Sequence, residues 1–111
     1  ELVNGQVKEY KLEPENFELT ACKAKDISGG TPEENANIIK NILSGEQGPK
    51  SDIVLMNASA AICAGGIAEN LKVAMHLARQ SIDTGSAEKK LNDLNENELK
   101  KYFWYIKEDN L

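Results

Sequence analysis

The sequence predicts a mostly helical α+β unit with a β-hairpin at its N-terminal end. Three observations carry that expectation. Asn4-Gly5 lies between short apolar stretches, a strong two-residue hairpin signal. From Thr31 onward, helix-start residues and glycine stops bracket apolar residues at helical spacing. The run from Ile53 to Ile62 is apolar on nearly every face, as in a helix at the centre of its domain.

The elements follow in chain order. Leu2 and Val3 precede the turn, and Val7, Tyr10 and Leu12 follow it in imperfect alternation with charged residues. A small antiparallel hairpin with one covered face is expected. Glu13 to Leu19 reads as a turn anchored by Phe17 and Leu19, and Pro14 limits any continuing strand. Residues 20–30 fit no single pattern; Ala21 to Ile27 suits a short helical turn before Gly29-Gly30.

Thr31 is an N-cap residue, with Pro32 at the first helical position and Glu34 at capping-box spacing. Glu33 and Glu34 complement the positive end of the helix dipole. Ala36, Ile39 and Leu43 form one stripe flanked by Ile42, and Gly45 is the expected C′ residue. A second helix is expected over Ser51 to Ala64, with Ser51 as N-cap and Asp52 in the first turn. It should be the most buried element. Asn57 is the polar side chain expected deep within it. A functional contact and a structural hydrogen bond to a loop are both open to it, and the second is preferred because buried amides need partners.

Gly65-Gly66 ends that helix and Asn70 caps the next, where Leu71, Ala74, Ala78 and Ile82 form a stripe beside Met75. Gly85 marks its end. Ser86-Ala87-Glu88 opens another helix, with Leu91 and Leu94 facing inward. Leu99, Tyr102, Phe103 and Ile106 continue the helical spacing. The chain therefore divides into a hairpin and turn over 1–19, a helical core over 31–94 and an aromatic C-terminal helix over 95–111, all within one unit. Tyr102 to Tyr105 contains four of the six aromatics. Core packing is the default for such a cluster, although Trp104 and Tyr105 fall off the main stripe and would suit a partner surface.

Bulk chemistry excludes some functions. At 111 residues the chain can form a single domain. A net charge of -5 argues against a nucleic-acid or anionic-membrane surface. The apolar run is too short and interrupted to span a membrane. Cys22 and Cys63 are far apart in sequence; Cys63, on an apolar helix, reads as a buried free thiol, and a reducing cytoplasm is expected. No secretory signal pattern is visible. The opening residues read as mid-domain sequence. The chain is therefore expected to be a fragment of a longer protein, cut by design or by proteolysis, with a processed mature terminus as the other reading.

No catalytic, substrate-binding or metal-ligating residue is expected. Gly29-Gly30-Thr31 before a helix could cradle a phosphate, but Pro32 removes a donor and Glu33 and Glu34 would repel an anion. The structural reading is preferred. His76, the only histidine, has no neighbouring carboxylate or nucleophile in sequence and reads as solvated. Arg79 is the only arginine, and a polyanion site normally uses several such cations, so this scarcity argues weakly against a complete phosphate site. Neither a metal-spaced Cys/His cluster nor a nucleophile–base pair is present.

Three segments nevertheless carry a resemblance: Ser28-Gly29-Gly30-Thr31-Pro32-Glu33-Glu34-Asn35-Ala36, Asp52-Ile53-Val54-Leu55-Met56-Asn57-Ala58, and Ala78-Arg79-Gln80-Ser81-Ile82-Asp83-Thr84-Gly85. With the hairpin and Pro14-Glu15-Asn16-Phe17-Glu18-Leu19, they make residues 1 to 94 resemble the C-terminal part of the large domain of anthranilate phosphoribosyltransferase. Glu18 departs from the family pattern, which favours glycine there, and so does the tail after Asn95. The resemblance implies a place in the α/β catalytic domain shared by nucleoside phosphorylases and phosphoribosyltransferases. It implies a parent enzyme that transfers phosphoribosyl from phosphoribosyl pyrophosphate to anthranilate, with Mg²⁺, in tryptophan biosynthesis, commonly as a homodimer. The family's diphosphate loop, anthranilate site and acidic metal motif would lie upstream. This chain alone would then be an inactive scaffold, needing no cofactor, partnered by the missing N-terminal part of the same protein and prone to self-association. The competing reading is a free-standing, non-catalytic helical interaction module.

Overall fold

A computed structural model describes residues 1–98 of the chain. Residues 99–111, with Tyr102 to Tyr105 and most of the expected aromatic helix over 95–111, lie outside the described residues.

Strands β1 (Leu2–Val3) and β2 (Gln6–Val7) pair antiparallel, with Leu2 opposite Val7 and Val3 opposite Gln6. Asn4 and Gly5 have φ of +50° and +76°, the left-handed pair that a type I′ turn requires. The expected covered face is not observed: Leu2 is 69% and Val7 76% exposed. A two-residue strand offers only one side chain to each face, so pairing alone cannot build a core. Tyr10 and Leu12, beyond the end of β2, are exposed as well.

A 3-10 turn over Pro14–Phe17 follows. Asn16 Oδ1 accepts from the Glu13 N–H at 2.9 Å. The turn closes through Glu18 at φ +61°. A left-handed backbone at this position would suit the glycine that the resemblance leads one to expect there. Phe17 and Leu19 pack as expected against the core. A second 3-10 turn occupies Ala24–Ile27, inside the stretch expected to turn.

Helix α1 (Pro32–Leu43) begins with the expected capping box and ends in Ser44 and Gly45, the latter at φ +104°. Its buried side differs from expectation. Ile42, the expected flank, is buried and Leu43 and Ile38 are half-buried, whereas Ala36 and Ile39 are exposed. Two apolar stripes were available, and tertiary packing turned the Ile38–Ile42 side inward.

Helix α2 (Pro49–Ala64) starts two residues before Ser51. Pro49 takes the first helical position, Gly48 at φ +140° leads into it, and Ser51 is not the cap but a buried residue within the helix. Only one stripe is buried: Ser51, Leu55 and Ser59. Asn57 is exposed rather than deep, because it lies on the side opposite that stripe.

Helix α3 (Leu71–Asp83) is capped by Asn70, whose Oδ1 accepts from the Val73 N–H at 2.9 Å. Ala74, Met75 and Ala78 are buried, and α2 against α3 is the principal packing of the chain. Leu55, Met75 and Ala78 form the core, with Ile62 and Ile82 beside it. Gly85 at φ +77° links to α4 (Ser86–Asp93), where Leu91 is half-buried. Leu94, expected inward, is 42% exposed. It begins a wider π-type turn over Leu94–Glu98, which rotates it off the helical stripe.

The fold is extended for its length, 47 × 35 × 27 Å along its principal axes. The radius of gyration is 16.9 Å, against roughly 13 Å for a compact domain of about this size.

Candidate functional site

The segment at the start of α1 is the motif with the clearest chemical alternative, and several of its backbone donors already have side-chain partners. The Gly30 N–H donates to Asn35 Oδ1 at 2.8 Å, and Asn35 Nδ2 donates back to the Gly30 carbonyl at 3.2 Å. The Thr31 N–H donates to Glu34 Oε2 at 2.8 Å, while Thr31 Oγ1 accepts from the Glu34 N–H at 3.2 Å. The Gly30, Thr31 and Glu34 N–H groups, which a phosphate would need, are thus occupied by side chains, one of them a carboxylate. The glycines have a steric reason. A Cβ on Gly30 would run into the Glu34 carboxylate, and one on Gly29 into the Asn35 amide. The open depression beside them is lined by one cation, Lys50, and one carboxylate, Glu34.

His76 is exposed on α3. It shares a shallow cleft of about 180 Å³ with Phe17, Glu18, Leu19, Lys72, Met75 and Arg79. The fold therefore brings a carboxylate near His76, which sequence proximity did not reveal. Glu18 comes from a turn far upstream, and no periodicity connects it to α3. Its ion-pair partner is Lys72, at 3.7 Å, and not the histidine. No hydrogen bond orients the imidazole among the described residues, as a general base requires. Arg79 is half-buried at the junction of this cleft and a smaller one that Gln47, Ser51 and Asp83 line.

Among the described residues, no three His, Cys, Asp or Glu side chains converge as a metal site would require. Both cysteines are free; Cys22 is exposed, and Cys63 is half-buried rather than buried. A cleft of about 140 Å³ between residues 19–27 and α2 is mainly apolar, lined by Leu19, Ile27, Ile53 and Met56 among others. No helix among the described residues is long and apolar enough to cross a membrane.

What the site lacks in reactive groups, the sequence supplies in kinship. The chain belongs to the glycosyl transferase family, a/b domain, whose profile matches residues 1–88. It is similar to the anthranilate phosphoribosyltransferases of Desulfosudis oleivorans (47% identical over 95 residues), Methanococcoides burtonii (48% over 94) and Thermoanaerobacter sp. (44% over 94). Each alignment covers 85% of this chain but only 27–28% of the relative. The chain thus spans little more than a quarter of the length of the curated relatives it matches. No solved structure matches it. The family profile ends at residue 88.

Proposed function

We propose that this chain is the C-terminal part of the large domain of an anthranilate phosphoribosyltransferase. The complete protein would transfer phosphoribosyl from phosphoribosyl pyrophosphate to anthranilate in cytoplasmic tryptophan biosynthesis, as a homodimer. The observation that carries this reading is the 44–48% identity, over 85% of the chain, to enzymes of that name. Matches to a part of much longer enzymes do not favour a free-standing interaction module.

Within that enzyme the chain's role is support. Phe17, Leu19 and the helices pack around one core. Neither the Gly29-Gly30-Thr31 segment nor the His76 cleft offers a phosphate cradle or an oriented base. Diphosphate departure needs fixed donors at the developing charge and an acceptor held in line. Mg²⁺ would aid that departure, but the described residues do not fit a metal site, so upstream residues of the enzyme would hold it.

The test is an assay with both substrates and Mg²⁺ on two proteins: the product of the whole gene and the purified 111-residue chain. The whole product should turn over and the chain alone should not. An inactive whole protein, or turnover by the chain that a point substitution abolishes, would overturn the reading.

A further inference from the structure

Three basic side chains stand on one side of α3. Lys72, His76 and Arg79 are spaced i, i+4 and i+7, which sets them on a single stripe of the helix. All three line the cleft of about 180 Å³ that α3 forms with the turn at Phe17 and Glu18. The chain as a whole carries 18 acidic residues against 13 lysines and arginines. A cleft with three basic side chains and one carboxylate reverses the sign of its surroundings and draws anions to it.

The charged groups divide the cleft in two. Glu18 pairs with Lys72 at 3.7 Å, so the carboxylate that would repel an anion is neutralised at that end. His76 and Arg79, one turn apart, belong to none of the ion pairs among the described residues. Arg79 is half-buried, where its charge is screened less than that of an exposed lysine. Its guanidinium fork matches a carboxylate with two parallel hydrogen bonds. One arginine falls short of what a diphosphate requires but suffices for a single carboxylate. The rest of the lining is apolar: Met75 is buried, and Phe17 and Leu19 are half-buried. An aromatic ring beside a thioether gives an adaptable surface for an apolar body. The cleft is smaller than the roughly 300–1,000 Å³ of drug-sized pockets, which restricts it to a small molecule.

We propose that this cleft binds a small monocarboxylic acid with an apolar body, its carboxylate on Arg79 and His76 and its body on Phe17, Leu19 and Met75. The proposal does not rest on the reaction proposed for the whole protein.

The experiment is calorimetric titration of the full-length protein with phenylacetate. Binding at one site with a Kd of about 1 mM or below is expected. Arg79→Met removes the fork and should weaken binding about 10-fold or more. Arg79→Lys keeps the charge without the fork and should recover only part of that loss. His76→Gln, at an exposed position, should weaken binding about 3-fold or more. Val73→Ala, on α3 but outside the cleft, should leave it unchanged. Acetate has no apolar body and phenethyl alcohol no carboxylate, so each should bind at least about 10-fold more weakly than phenylacetate. If Arg79→Met fails to fold, His76→Gln still decides. Absence of binding overturns the proposal. So does phenylacetate binding that Arg79→Met and His76→Gln leave unchanged, because the probe then sits elsewhere in the protein. Acetate or inorganic phosphate binding as tightly as phenylacetate also overturns it, since the cleft would then be an unselective anion patch.

Discussion

Glu18→Gly isolates a single backbone effect. The native φ of +61° costs an L-residue roughly 1–2 kcal/mol relative to the right-handed region. Glycine removes that cost but loses roughly 0.5–1 kcal/mol more chain entropy on folding. The ion pair lost with the carboxylate, to Lys72 at 3.7 Å, joins side chains that are 74% and 84% exposed. It contributes little. The turn remains closed in either variant, because the Leu19 N–H donates to the Pro14 carbonyl at 3.1 Å, backbone to backbone. The net expectation is stabilisation by about 0.5–1 kcal/mol, a rise in Tm of roughly 3–6 °C for a chain of this size. Glu18→Ala keeps the strained φ and loses only the ion pair, so its Tm should stay within about 1 °C of the parent. Calorimetric melts of the three proteins decide the matter. Glu18→Gly melting at or below the parent, or Glu18→Ala rising as far as the glycine variant, would refute the strain argument.

Leu55 is 1% exposed at the α2–α3 contact, so Leu55→Ala should cost about 3 kcal/mol through lost burial and the cavity left behind. Leu55→Asp should unfold the chain by burying an unpaired charge. Urea titration checks both against Val73→Ala, a 47% exposed control expected within about 0.5 kcal/mol of the parent. Thr31→Ala removes the N-cap acceptor of α1 and should cost about 1 kcal/mol, read from the same titration. Gly30→Ala should destabilise by displacing the Glu34 carboxylate from the Thr31 N–H; in a Glu34→Ala background most of that cost should disappear, and a double-mutant cycle measures the difference.

The features legible in the sequence were those set within a few residues. The Asn4-Gly5 turn, the Thr31–Glu34 capping box, the Asn70 cap and the glycines at 45, 66 and 85 depend on short-range geometry, and all are observed. The core stripe of α3 was legible because a single apolar side was available to it. In α1 two stripes competed, and only the position of neighbouring elements decides between them. The start of α2 was displaced because Ser51 and Pro49 both suit a helix start, and proline's fixed φ and missing N–H determined the outcome. The approach of Glu18 to α3 had no sequence signal at all.

Composition and burial part company most clearly in α2. Two of its three buried positions are serines, while Ile53 and Val54 are exposed; a hydropathy profile would reverse the two sides. The serines are tolerated for physical reasons. Ser59 Oγ donates to the Leu55 carbonyl of its own helix at 2.6 Å, leaving no unpaired donor. Its small volume lets Met75 close in, with Sδ 3.5 Å from that oxygen. Close approach of α3 therefore depends on small residues with internally satisfied hydroxyls. Of the larger apolar side chains, Leu55 is buried, Met56 and Ile62 pack against the core and Ile53 borders the cleft with residues 19–27, while Val54, with Asn57 and Ala61, lies on the exposed side. A helix meant to float that side in water would have charges there, and between Ile53 and Ala64 there are none.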